Sequence, residues 1–243
     1  MFRVTMTEIY KLKRTKILYL CLVGAGVPLL INSLGMTQSE MTWEQYYFMN
    51  WNLSFLMSPV IFSVLAGYLF VREYHEKTIN QLFMYPYSRV KYFIGKFIVC
   101  LVLITFTFLL LMLGMLIVGY FIIPDPISMS QLSSFFLMSA ITIIAHWMLV
   151  PIAIFVSILA KSYIPSVVLG ISVTISGLII MGTEYALYFP YNSIHFILWN
   201  IAPGIFGGGQ PPPYLTPIMA LVISSIAFIV LSVLVYDRSD VHS

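Results

Sequence analysis

The sequence predicts an all-helical integral membrane protein that crosses the bilayer six times, with both termini in the cytoplasm. Composition is the first observation behind this: of 243 residues, 60% are hydrophobic and 9% charged, with mean hydropathy +0.95. A soluble domain carries roughly 25% charged residues, so a soluble core of this size is excluded. The second is where the twelve Lys and Arg residues fall. They occupy Arg3, Lys11, Lys13, Arg14 and Lys16, then Arg72, Lys77, Arg89, Lys91 and Lys96, then Lys161, then Arg238. The apolar stretches between these groups come in even numbers, so every cation lies on one side, which the positive-inside rule makes the cytoplasm. Six helices of about 20 residues use roughly half the chain and leave loops and termini, with no room for a separate soluble domain.

Residues 1–16 come first. Thr5 and Glu8 are spaced as a capping box, and Ile9 and Leu12 recur at helical spacing beside Lys11, Lys13 and Arg14. This reads either as an amphipathic helix on the inner leaflet or as a topology signal alone. The first span is 17–34. A basic region before an apolar one also describes a secretory signal, but no small-residue cleavage site follows Ile31, so the span is read as retained. Cys21 and Cys100 both fall in cytoplasmic halves of spans and read as packing residues rather than a disulfide or metal pair. The remaining spans are 53–71, 93–123, 132–159, 165–188 and 215–236. The third and fourth exceed what the hydrocarbon core needs and must tilt or protrude, and Pro124 and Pro126 end the third.

The link between the second and third spans is too polar to cross and too patterned to be slack. Ile79, Leu82 and Phe83 form an apolar stripe, Glu73 and Lys77 are spaced to pair, and the pattern stops before Pro86. A short helix over 73–85 is expected. Ser88 can cap the next helix, whose first turns carry Arg89, Lys91 and Lys96. The two readings are a rigid elbow for docking and an ordinary basic loop.

On the other side, 190–213 holds an apolar piece, Ile194 to Ile201, too short to cross, flanked by Asn192 and Pro203. It reads as a half-inserted or surface hairpin, or as a plain loop. The outer loops carry Glu40, Glu44, Asp125 and Glu184 against no cation, a face mildly attractive to a cationic compound. Within the spans, His146 and Glu184 are candidate pathway residues; the blander readings are a hydrogen bond to a neighbouring helix and solvation at a span end. Ser172, Thr174 and Ser176 read as helix-packing groups.

The run Glu76-Lys77-Thr78-Ile79-Asn80-Gln81-Leu82, followed by Pro86-Tyr87-Ser88-Arg89 and Gly95-Lys96, resembles the first cytoplasmic loop of ABC-2 type transporter permeases. Lys77 stands where glycine is usual in that family. Length and six-span layout resemble the small bacterial bacitracin-resistance and lantibiotic self-protection permeases. The resemblance implies a type V exporter-like architecture, and a coupling helix at 73–85 seated in a separate cytoplasmic ATPase. Glu73, Glu76, Thr78, Asn80 and Gln81 would form its polar face, and Ile79, Leu82 and Phe83 its apolar one, with Pro86 and Arg89 in the following turn.

It further implies two ATPase copies, a second permease subunit that is identical or similar, contact with membrane lipid, a bacterial plasma-membrane location, and export of an antimicrobial peptide or other amphipathic or lipid-linked compound. No catalytic residue, metal site, cofactor site or nucleic-acid partner is expected. Gly95-Lys96 is not a phosphate-binding loop, because Val90 stands where its first glycine belongs and Phe97 where Ser or Thr belongs, so ATP and Mg would be bound by the partner ATPase. No zinc-protease pair or hydrolase elbow occurs. A non-transporting membrane scaffold or sensor, and an ion-coupled carrier, are the alternatives.

Overall fold

The computed structural model describes residues 2–12, 15–34, 41–76, 78, 88–207 and 209–238, and among them every regular element is helical. In chain order these are α1 (Phe2–Leu12), α2 (Leu18–Leu34), α3 (Trp43–His75), α4 (Arg89–Ile122), α5 (Met129–Ala160) and α6 (Ile164–Ile180). A 3-10 turn (Glu184–Tyr188), α7 (Ser193–Ile201), α8 (Pro203–Phe206) and α9 (Leu215–Arg238) follow. By length and composition α3, α4, α5 and α9 are able to cross a membrane, while α2 and α6 are apolar helices of 17 residues each.

Two start signals overlooked in the sequence lengthen the helices beyond their expected spans. Thr42 and Gln45 form a reciprocal capping box, with Gln45 N donating to Thr42 Oγ1 at 3.3 Å and Thr42 N to Gln45 Oε1 at 3.2 Å. Ser128 and Gln131 do the same at 3.1 and 2.9 Å. Each box satisfies two of the amide donors that a helix start leaves open. Consequently α3 begins at Trp43, well before the expected 53, and α5 at Met129. The capping box expected at Thr5 and Glu8 does not form, because α1 already starts at Phe2 and Glu8 is taken by Lys11. The fifth span, expected over 165–188, is also shorter. Thr183 donates its amide (2.9 Å) and hydroxyl (2.8 Å) to the Ile180 carbonyl, turning the chain out of α6 into the 3-10 turn.

The long helix α3 is the centre of the bundle. It packs against α2 and α4, and against α5 and α6, with α9 laid on α5. Hydrocarbon offers no hydrophobic drive between helices, so close backbone approach and interhelical hydrogen bonds hold them. Gly170 of α6 provides the approach: a Cβ there would stand 2.7 Å from the Pro59 carbonyl oxygen and 2.8 Å from Val60 Cα on α3. Along the same contact Ser166 Oγ donates to Ser63 O (3.1 Å) and Thr174 Oγ1 to Leu56 O (3.3 Å). The faces turned away from the bundle are apolar, as with Ile223, Ile226 and Val230 on α9 or Leu113 and Ile117 on α4. Such broad exposed apolar surface suits lipid rather than water.

The cations described gather at one end of this bundle and the acidic groups Glu44, Asp125 and Glu184 at the other. At the basic end, Lys11 and Lys96 both reach Glu73, Arg89 meets the last turn of α9, and the ring of Tyr163, near Lys161, lies 5.6 Å from that of His75. At the acidic end, Trp43 Nε1 donates to Asp125 O (2.8 Å) and Gln131 Nε2 to Glu44 Oε1 (2.5 Å).

Candidate functional site

The link between α3 and α4 leaves the bundle from a base of buried charge. Lys96 is fully enclosed, and a bare ammonium there would carry a desolvation penalty of several kcal/mol. It is compensated by donating to the Leu69 carbonyl at 2.9 Å and to the Glu73 carboxylate. The other Glu73 oxygen accepts from Lys11 Nζ at 3.2 Å, and Lys11 reaches Glu8 Oε1 at 2.5 Å. Glu8, Lys11, Glu73 and Lys96 therefore form an alternating row of two carboxylates and two ammoniums that joins α1, α3 and α4. Val4, Glu8 and Leu12, spaced by four, form the buried face of α1. Gly95 makes room for it, since a Cβ there would lie 2.9 Å from Val4 Cγ1. Gly95-Lys96, a bare motif in the sequence, is thus the seat of α1 followed by the counter-charge of Glu73.

The sequence-predicted link residues divide at this base. Glu73, expected on an outward polar face at the start of a 73–85 helix, instead belongs to α3 and points inward, because Lys96 and Lys11 draw its carboxylate there. Glu76 is half-exposed and pairs with Arg72 Nε at 3.0 Å, one helical turn back. Thr78 N donates to the Glu73 carbonyl at 3.0 Å. Ile79, Asn80, Gln81, Leu82, Phe83 and Pro86, with Lys77, lie outside the described residues. Ser88 occupies the N-cap position of α4 as expected, although its side chain makes no capping bond. Arg89 Nη1 donates to Asp237 O at 2.6 Å, holding the start of α4 against the last turn of α9, where a cation suits the carbonyl end of a helix.

The two candidate pathway residues are far apart in character. His146 is buried between Phe62 and Phe108. Its Nδ1 lies 2.8 Å from the Thr142 carbonyl, which only accepts, so Nδ1 carries the proton and Nε2 of the neutral ring accepts from Ser58 Oγ at 2.7 Å. Nδ1 is committed within α5 and Nε2 to the α3–α5 contact, which Trp51–Thr142 (3.0 Å) and Tyr47–Ser139 (3.2 Å) continue. Glu184 opens the exposed 3-10 turn beyond α6.

The sequence reading missed a cavity of about 280 Å³ between α3, α6 and the start of α7. Phe55, Leu56, Val173 and Leu178 make it mainly apolar, and Asn192 and His195 add polar groups. Asn192 Nδ2 donates to Gly177 O at 3.1 Å, pinning the short helix α7 to α6. α7 and α8 occupy the expected 190–213 hairpin, of which 208 lies outside the described residues. The cavity draws on three segments far apart in the chain, and no local pattern marks it.

The family model described as ABC-2 family transporter protein matches residues 5–177, from within α1 almost to the end of α6, and so takes in the whole charge row and both arms of the link. The chain is also 26% identical over 187 residues to the bacitracin transport permease protein BCRB of Bacillus licheniformis, an alignment that covers 77% of this chain and 87% of that protein.

Proposed function

The chain belongs to the ABC-2 family of transporter proteins and is a multi-pass permease subunit, and from that premise we propose that it forms the membrane half of an ATP-driven exporter in the bacterial plasma membrane. The cargo we propose is an antimicrobial peptide or another amphipathic or lipid-linked compound, in keeping with the relative named for bacitracin transport. Six crossings, by α2, α3, α4, α5, α6 and α9, put the basic end in the cytoplasm. Two such subunits, identical or similar, meet in the membrane, and two copies of a cytoplasmic ATPase bind ATP and Mg.

The observation that carries this reading is the rooting of the link. Its two arms, the end of α3 and the start of α4, are tied by Glu73 and Lys96, so a push on the link is passed to both long helices together. In the proposed cycle, ATP-driven closure of the ATPases moves the coupling segment, with Ile79, Leu82 and Phe83 against the ATPase and Glu76, Thr78, Asn80 and Gln81 around them. Helix α3 carries the movement to the outer cavity, 16 or more residues up its length at Pro59. An apolar pocket with a few polar groups suits an amphipathic cargo.

The test is co-expression with the ATPase encoded nearest to the gene. Recovery of a complex that hydrolyses ATP, lost when Leu82 and Phe83 are both changed to Asp while the permease still inserts, is the expected result. A chain that purifies intact and alone under every nucleotide condition would overturn the proposal and leave the scaffold as the better description.

A further inference from the structure

A groove of about 810 Å³ opens at the basic end between α1 and α3. Thr7, Tyr10 and Lys11 line it from one face of α1, Thr15 and Lys16 from the turn before α2, and Tyr68 and Arg72 from α3 with Glu76 at its C-cap, where a spacing of four puts them on one face. The lining holds three cations against one carboxylate. Lys11 belongs to the buried charge row, but Lys16 is exposed, and the Arg72–Glu76 pair engages only Nε of the five N–H donors of the guanidinium. Thr7, Tyr10 and Tyr68 line the groove between these charges. Such a set recognises a phosphate group, which takes several charge-assisted hydrogen bonds at once.

The level of the groove says what carries that phosphate. Tyr68 and Arg72 straddle the end of the apolar stretch of α3, and Lys16 stands two residues before α2, which is the height of lipid headgroups, where Tyr and basic side chains concentrate. Immediately beyond Lys16, Leu18, Tyr19 and Leu22 of α2 are 41%, 64% and 52% exposed. A ligand here meets cations at one end and open apolar surface at the other. We infer that the α1–α3 groove binds the headgroup of an anionic phospholipid, with the phosphate at Lys16 and Arg72 and the acyl chains along α2. A free phosphate would use the same cations but leave the apolar strip bare. The groove has room for a glycerophosphate headgroup together with several waters at about 30 Å³ each. Because α1 also holds Glu73 through Lys11, a lipid bound here fastens the root of the link to the membrane surface.

This inference rests on the proposed insertion in a bilayer and not on ATP-driven transport. The full chain in neutral detergent is mixed with phosphatidylglycerol or phosphatidylcholine of identical acyl chains, and retained lipid is read by native mass spectrometry. Preferential retention of phosphatidylglycerol is expected, reduced roughly fivefold by Lys16→Gln and by Arg72→Gln, as loss of one cation at an anionic surface implies. Lys161→Gln, an equal change of charge at the same end but outside the groove, should leave retention unchanged. Lys16 is exposed, so its variant carries the test should Arg72→Gln fold poorly.

Equal retention of the two lipids would overturn the inference, as would an equal loss with Lys161→Gln. Displacement of the lipid by millimolar inorganic phosphate would show a free-anion site instead, and displacement by the ATPase would show a protein docking surface. A chain that keeps the lipid but recruits no ATPase would uphold this site and sink the transporter reading.

Discussion

Glu73 at the end of α3 and Lys96 near the start of α4, 23 positions apart with the whole link between them, meet as an ion pair sealed from solvent. Neither charge is tolerable alone at that depth. Replacing Glu73 with Gln should cost about 3–5 kcal/mol, because the buried Lys96 is left without a counter-charge, and Lys96→Met should cost less, because Glu73 keeps Lys11. The double change Glu73→Leu with Lys96→Met should recover much of that loss, since an apolar pair of similar volume is often as stable as a buried ion pair. Thermal unfolding of the detergent-solubilised protein measures both. Single variants as stable as the parent would refute the pair's role.

Gly170 should not accept a side chain. With backbone atoms of Pro59 and Val60 under 3 Å from a Cβ, α6 must move off α3, and Gly170→Val should cost roughly 1–3 kcal/mol as overpacking does. Gly182, where a Cβ meets nothing within 4 Å, supplies the control: Gly182→Ala should leave the unfolding temperature nearly unchanged.

His146 should prove a packing residue in function as well as in position. His146→Gln should lower thermal stability through loss of the Ser58 and Thr142 hydrogen bonds while leaving the pH profile of transport in proteoliposomes where it was. A shifted pH profile with unchanged stability would give the imidazole a role in the pathway after all.

Filling the outer cavity should block cargo without disturbing the ATPase. Val173→Phe puts added volume into the space of about 280 Å³ beside Phe55. The expected result is a complex that still assembles and hydrolyses ATP but confers little resistance to the exported compound. Undiminished resistance would remove this cavity from the pathway.

The proposed orientation is open to direct labelling. Cys21 and Cys100 are both buried, so a single added cysteine can be read against them. Thr183→Cys should react with a membrane-impermeant maleimide on whole cells, and Ser88→Cys only after lysis. The reverse pattern would invert the topology.

The sequence reading was most successful where a signal is local and additive. An apolar helix overlaps each expected stretch, four of them long enough to cross a membrane, and Ser88 stands at the N-cap of α4. Helix starts were less legible. The boxes at Thr42 and Ser128 were overlooked, and the one read at Thr5 and Glu8 is absent, because a three-residue spacing occurs by chance and the competing claim of Lys11 on Glu8 cannot be seen without the fold. Glu73 looked like an outward residue because its neighbours in sequence are polar, whereas its partner is Lys96 on another helix. The outer cavity and the α1–α3 groove each assemble residues from separate helices, and no stretch of the chain announces either.

What the sequence by itself determined is which segments suit hydrocarbon and which charged stretches separate them. Transfer free energy accumulates residue by residue along a helix, so the order of residues is enough to read it. Only the tertiary structure decided that Gly95 seats α1, that Lys96 neutralises Glu73, and that Gly170 lets α6 close on α3. In a bilayer, where burial of apolar surface does not distinguish one helix pairing from another, those pairings depend on close fit and on charges finding their opposites across the bundle.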